Sequence, residues 1–167
     1  MTKPTIVLAA DHAGFAHKEA VKKFLEEKGS YEIIDVGAHD LVADDDYPVY
    51  MTAAAMKVAA DMIGNTKALL FGGSGQGEAM VANRFPGVRA AVWYGNAIPI
   101  GNATKEDKTS PGILKLSREH NDANILAIGA RFVDEESAKK AIDAWLTTPF
   151  SGEERHKRRI DQMDNIE

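Results

Sequence analysis

Six residues, Gly72-Gly73-Ser74-Gly75-Gln76-Gly77, hold four glycines and run directly into Glu78. An apolar stretch Ala68 to Phe71 leads into them and a helical pattern from Glu78 to Asn83 follows, so they form a strand-to-helix turn. Three familiar readings of such a turn fail. A dinucleotide fingerprint starting at Gly73 needs glycine where Glu78 stands, and a P-loop needs a Gly-Lys-Ser/Thr that is absent. A nucleophile elbow centred on Ser74 needs glycine at Gln76. What remains is a loop whose successive backbone N–H groups can hold an oxyanion or a phosphate. Glu78 has two readings. An acid in the first helical turn complements the helix dipole; alternatively it is a carboxylate base beside amides that hold a developing oxyanion, the pairing that proton abstraction next to a carbonyl requires.

The histidines and arginines extend the set. His12 follows Asp11 at the end of an apolar run, as a ligand contact or as part of an N-cap. His120, in Arg118-Glu119-His120-Asn121-Asp122, ends a helical stretch from Ile113; it is either a functional group or a cation at the helix C-terminus. His17 and His39 fall on a helix surface and in a loop and are assigned nothing. No two histidines share metal-ligand spacing, and no metal is expected. Arg155-His156-Lys157-Arg158-Arg159 places four formal positive charges in five residues. A solvated terminal helix explains such a run, yet Arg155, Arg158 and Arg159 fall on one helical stripe spaced to clamp a phosphate. Arg131, after the last strand, can add to it.

These residues need a scaffold. Short apolar runs at Thr5 to Ala10, Tyr31 to Val36, Ala68 to Phe71, Val88 to Trp93 and Asn124 to Ile128 read as strands. Between them, Phe15 to Leu25 has helical spacing stopped by Gly29. Met51, Ala55, Val58 and Met62 mark a second helix ending near Gly64, after an acidic turn at Asp44 to Asp46. A further helix spans about Asp134 to Leu146. Strands alternating with helices predict a doubly wound α/β domain with a parallel sheet, whose ligands bind at the carboxyl ends of the strands. The segments after the strands carry Asp11-His12, the glycine loop, Tyr94 and Asn96, and Arg131, so polar chemistry gathers on one edge. Two stretches break the pattern: a long loop at about 95–111 and the basic tail at about 151–165.

Composition bounds the function. The 167 residues fit a single domain over 1–167 with a core of its own. A net charge of −5 argues against nucleic acid as a partner, which needs clustered positive charge. The absence of cysteine excludes disulfides, thiolate metal sites and cysteine nucleophiles. Ile6 to Ala10 is too short for a signal-peptide core, so a cytoplasmic protein with no membrane partner is expected.

Taken together, the motifs Ala10-Asp11-His12-Ala13-Gly14, Gly73-Ser74-Gly75-Gln76-Gly77, Ala82-Asn83-Arg84-Phe85-Pro86-Gly87, Arg118 to Asn124, Gly129-Ala130-Arg131 and Arg155 to Arg159 resemble the ribose-5-phosphate isomerase B and galactose-6-phosphate isomerase family over most of the chain. The resemblance implies a Rossmann-like three-layer sandwich with a five-stranded parallel sheet and a C-terminal helical tail. It also implies a homodimer or dimer of dimers with sites at the subunit interface, and aldose–ketose isomerisation of a sugar phosphate without metal or other cofactor. By position, Asp11 and His12 would contact sugar hydroxyls or the ring oxygen, and His120 would assist ring opening with Asn121 beside it. Gly73, Ser74, Gly75 and Gly77 would hold the enediolate oxygens. Arg131, Arg155, His156 and Arg159 would bind the phosphate, some from the partner subunit. Many members carry a cysteine base at the position of Gly72; this chain resembles the subgroup Gly-Gly-Ser-Gly-x-Gly-Glu, in which the glutamate, here Glu78, is the base. Residues 102–111 are extra relative to typical members and leave the sugar open: ribose 5-phosphate first, allose or galactose 6-phosphate otherwise. A non-catalytic binder of a sugar phosphate or nucleotide on the same fold is the competing class. It needs the loop and arginines but neither Glu78 nor His120. A hydrolase is weaker still, because Ser74 lacks the elbow pattern.

Overall fold

The computed structural model describes residues 3–95, 97 and 112–166. Five strands, β1 (Thr5–Ala10), β2 (Glu32–Asp35), β3 (Thr66–Gly72), β4 (Ala90–Trp93) and β5 (Ile125–Gly129), form one sheet in the order β2-β1-β3-β5-β4. Every pairing is parallel. Six helices lie among the described residues: α1 (Phe15–Lys28), α2 (Tyr47–Ala59), α3 (Gln76–Ala82), α4 (Ile113–Asn121), α5 (Glu135–Thr147) and α6 (Glu154–Asp164).

The apolar runs of the central strands β1, β3 and β5 are unbroken because both of their faces are covered. Side chains alternate across β1. Ile6 and Leu8 join Leu69, Phe71, Leu126, Ile128 and Trp145 on the face of α1, α4 and α5, while Val7 and Ala9 join Leu70, Ala127, Met51 and Ala55 on the face of α2 and α3. The chain leaves β1 for β2 on one side and crosses back to β3 on the other. The carboxyl ends of β1 and β3 therefore flank the point where strand order reverses, the place where such sheets bind ligands. The loop leaving β2 is fastened there: Ala38 N–H donates to the Ala10 carbonyl (2.7 Å), and the Asp35 carboxylate binds the buried Lys18 ammonium (2.8 Å) while accepting the Gly37 N–H (3.0 Å).

The strands and the α1, α4 and α5 helices match the sequence expectation to within two residues. The second helix does not: it ends at Ala59, and Met62, expected on its buried stripe, is 93% exposed. Asp61 is the cause. Its carboxylate accepts the N–H groups of Ile63 (3.1 Å) and Thr66, so the backbone finds partners outside the helix. The extra residues at 102–111, with Asn96, lie outside the described residues, as does most of the long loop.

Candidate active site

Asp11 ends β1 and turns the chain into α1. Its Oδ1 accepts the N–H groups of Ala13 (3.0 Å) and Gly14 (3.1 Å). Asp11 thus caps the turn that leads into α1, while the helix's own N-cap, Gly14, makes no side-chain cap bond. The His12 ring lies against Asp45, with Nδ1 2.7 Å from Oδ1, and its backbone N–H donates to the same oxygen at 2.8 Å.

The glycine loop leaves β3 alongside β5. The Gly72 carbonyl accepts from Ala130 N–H (2.8 Å) and the Gly73 carbonyl from Arg131 N–H (3.2 Å). Because C=O and N–H point opposite ways across a trans peptide, the N–H groups of Gly73 and Ser74 are turned from β5 towards β1, where Asp11 lies. Gly75 then takes a left-handed φ of 78° as the N-cap of α3, a conformation that glycine adopts without a steric penalty. Ser74 Oγ accepts Gln76 N–H at 3.3 Å. The guanidinium of Arg131 lies over Gly73, and the hydroxyl of Tyr47 lies against Gly77.

Glu78 sits on the first turn of α3, but its side chain is not on the surface: the residue is 4% exposed. Burial above all, with the charge of Asp11 added, raises its pKa; backbone N–H groups of the turn pull the other way without prevailing. The carboxyl is therefore a stronger base than a solvated glutamate, which a helix-stabilising surface acid would not be. Asp11, His12, Tyr47, Gly73, Ser74, Gly77, Glu78, Arg131 and Phe132 line one open cleft of about 420 Å³.

The remaining expected residues lie elsewhere in the subunit. Helix α4 runs antiparallel to the strands and delivers His120 and Asn121 to the start of β5, the amino edge of the sheet. Strand lengths put roughly 15–20 Å between the two edges. The His120 ring lies against that of His156 of α6, tilted by 37° with centroids 4.3 Å apart. His156 is buried, and its Nδ1 is 2.8 Å from Ser151 Oγ; burial first, then the neighbouring His120 and Arg155, lower its pKa. Arg155 and Arg159 are exposed on the same helix, Arg155 paired with Glu153 at 2.7 Å. One chain thus does not bring His120, Asn121, Arg155, His156 or Arg159 to Glu78. The Asn83 motif also belongs to the amino edge, where the Asn83 side chain bonds both the N–H and the carbonyl of Ala90 (2.7 and 3.0 Å), a turn-holding role.

Tyr47 and Asp45 were not singled out by their residue types. Both follow β2 on the ligand edge, and the acidic turn Asp44 to Asp46 was the signal available. Asp11, His12 and Asp45 also bring ligand-type atoms within 4.8 Å of one another, a grouping that spacing along the chain does not show. Asp45 Oδ1 is engaged by His12 and Asp11 Oδ1 by the Ala13 and Gly14 amides, while Asp45 Oδ2 is buried without a hydrogen-bond partner. His17 lies on α1, partly exposed, with Nε2 2.8 Å from the Val133 carbonyl.

The chain as a whole is similar to known proteins. A family model described as Ribose/Galactose Isomerase matches residues 6–163. Ribose-5-phosphate isomerase B of Mycobacterium tuberculosis is 37% identical over 167 residues, which cover 100% of this chain and 92% of that one. The enzyme of the same name from Escherichia coli is 35% identical over 162 residues, 97% of this chain and 95% of its own. Among solved structures, ribose-5-phosphate isomerase B from Mycoplasma genitalium with bound ribulose 5-phosphate aligns with a TM-score of 0.82 at 31% identity, covering 98% of this chain and 96% of that one. The type B enzyme from Trypanosoma brucei aligns at 0.81 and 32%, covering 100% of both. With fold and nearly the full length in agreement, the chain belongs to the Ribose/Galactose Isomerase family.

Proposed function

We propose that the protein interconverts ribose 5-phosphate and ribulose 5-phosphate, with Glu78 as the base that moves the proton. The observation that carries this reading is the buried Glu78 carboxyl, raised in basicity, in one cleft with Asp11 and the glycine-loop donors. On the open-chain aldose, Glu78 takes the proton from C2, and the electron pair closes the C1–C2 double bond while O1 becomes an oxyanion. The same carboxyl returns the proton to C1, and the hydroxyl proton passes from O2 to O1. The atoms balance without an external oxidant. A base contributes about 10²–10⁴-fold, which is insufficient alone for a weakly acidic C–H. The N–H groups of Gly73 and Ser74 and the Ser74 hydroxyl supply the rest by meeting the oxyanion.

Arg131 at the rim offers the phosphate a planar donor pair. Ring opening and further phosphate contacts fall to His120, Asn121, Arg155, His156 and Arg159. Because these lie on the opposite edge of their own subunit, they reach a cleft only from a second copy, in a homodimer or a dimer of dimers. No helix among the described residues is long and apolar enough to cross a membrane, in keeping with a cytoplasmic enzyme.

The test is incubation with ribose 5-phosphate, allose 6-phosphate and galactose 6-phosphate in the presence of EDTA, with ketose formation measured. Ribulose 5-phosphate formed fastest supports the reading. Faster conversion of a six-carbon sugar moves the assignment to that substrate, and no ketose from any of them leaves only a binding cleft.

A further inference from the structure

His12 and Asp45 come from different connections, the turn after β1 and the loop before α2, yet one carboxylate oxygen holds both the backbone N–H and the ring Nδ1 of His12, at 2.8 and 2.7 Å. The Asp45 side chain is 7% exposed and the His12 side chain 33%. His12 lines the cleft; Asp45 stands behind it, outside the lining. A carboxylate only accepts, so Nδ1 carries the hydrogen, and Nε2 is the ring nitrogen left for the cleft.

We propose that Asp45 is a positioning residue of the isomerase: it fixes the His12 ring through Nδ1 and keeps an imidazolium, with Nε2–H as donor, turned to an oxygen of the bound sugar phosphate. The inference rests on the isomerase reading for its ligand. The surroundings favour the cation. Asp11 and Asp44 face His12 from its own turn and from the β2–α2 loop, and the Tyr50 hydroxyl adjoins Asp45 from α2. Tyr47, Glu78 and Arg131 share the cleft, and of these only Arg131 is a cation. The hydrogen bond to Asp45 outweighs desolvation, with the charges of Asp11, Asp45 and Asp44 added, and raises the His12 pKa. Asp45 in turn is desolvated, but the two His12 hydrogen bonds overcome this and lower its pKa. The imidazolium is thus fully present below the ordinary histidine value and persists above it, to be lost as pH rises through the folded value.

Two variants separate charge from attachment. Asparagine at 45 still offers an oxygen to Nδ1–H but carries no charge, whereas alanine removes both. The pH dependence of kcat/KM for ribose 5-phosphate and the NMR titration of the His12 ring are measured in the full-length wild type, Asp45→Asn and Asp45→Ala. In Asp45→Asn the His12 titration and the alkaline limb of kcat/KM both move to lower pH, with a loss of about tenfold on that limb, while the acid limb stays. Asp45→Ala loses about 10- to 100-fold across the range. In a His12→Asn background, Asp45→Asn removes nothing further, because both act through one ring. An unmoved His12 titration in Asp45→Asn, or losses that multiply in the double variant, overturn the proposal. A wild type that fails to isomerise overturns the isomerase reading instead, and the His12 titration still decides the coupling.

Discussion

The carboxyl of Glu78 occupies the space in which a side chain on Gly72 would begin: a Cβ there would lie 1.7 Å from Oε1 and 2.2 Å from Cδ. The last residue of β3 and the first turn of α3 thus share one volume, and the Glu78 carboxyl, the proposed base, can lie there because residue 72 has no side chain. The clash would be with the end of a flexible side chain, so the fold can absorb it by moving Glu78. Gly72→Ala is therefore expected to fold normally and to lose about 10²–10³ in kcat with a smaller change in KM, since the base is displaced while the phosphate contacts remain. Steady-state kinetics and a thermal melt check this; a fully active Gly72→Ala enzyme removes Glu78 from its assigned position.

Glu78 itself couples activity to stability. Its folded pKa is raised by burial, so in the pH range between the unfolded and folded values the native state binds more protons than the unfolded chain. Stability falls as pH rises through that range, and the deficit persists above it. Glu78→Gln keeps the shape without the charge. Isomerase activity is expected to drop by about 10²–10⁴-fold, while the melting temperature at neutral and alkaline pH stays level or rises. Scanning calorimetry from acid to alkaline pH tests the sign: a variant that melts lower than wild type at alkaline pH contradicts the burial argument.

The central strands β1, β3 and β5 were legible because they are buried and read as continuous apolar runs, α1 because its periodicity stops at Gly29, and α5 because the Asp134 cap and the periodicity agree. The end of α2 was not, since Met62 continues the helical spacing while the Asp61 side chain captures the following amides. In the site, the glycine loop, Glu78, Asp11 and Arg131 follow strand ends, and topology alone brings them together. Tyr47 and Asp45 were hidden because their roles depend on how a long loop folds back onto β1. His120 carried a signal that residue type does not express: a group at the C-terminal end of a crossover helix is delivered to the start of the next strand, so it cannot meet Glu78 within one chain.

His156 gives a second pH dependence with the opposite sign. Burial, His120 and Arg155 hold its pKa below the ordinary 6.5, so the unfolded chain protonates first as pH falls. Stability attached to the neutral ring is complete above about 6.5 and is lost progressively below it. His156→Gln, which cannot titrate, is expected to flatten the fall in melting temperature between about pH 6.5 and 5. Melts of both proteins across that interval test this, and parallel curves for the two would show that His156 does not drive the loss.

The proposed division of the site between two sheet edges makes the assembly itself testable. Glu78→Gln disables the carboxyl-edge half, and His120→Asn disables the amino-edge half. If each working site takes one half from each subunit, a hybrid dimer of the two inactive variants contains one doubly altered site and one intact site. Unfolding and refolding an equal mixture should then restore about a quarter of wild-type activity, because about half of the dimers are hybrids and each has one of two sites intact. Each variant refolded alone stays inactive. Recovery in the mixture, measured as ketose formation at equal subunit concentration, requires that His120 serve the Glu78 of another chain. Its absence, with hybrid dimers demonstrated by mass spectrometry, would require His120 and Glu78 to act in the same chain, against the edge-to-edge separation that parallel strands impose.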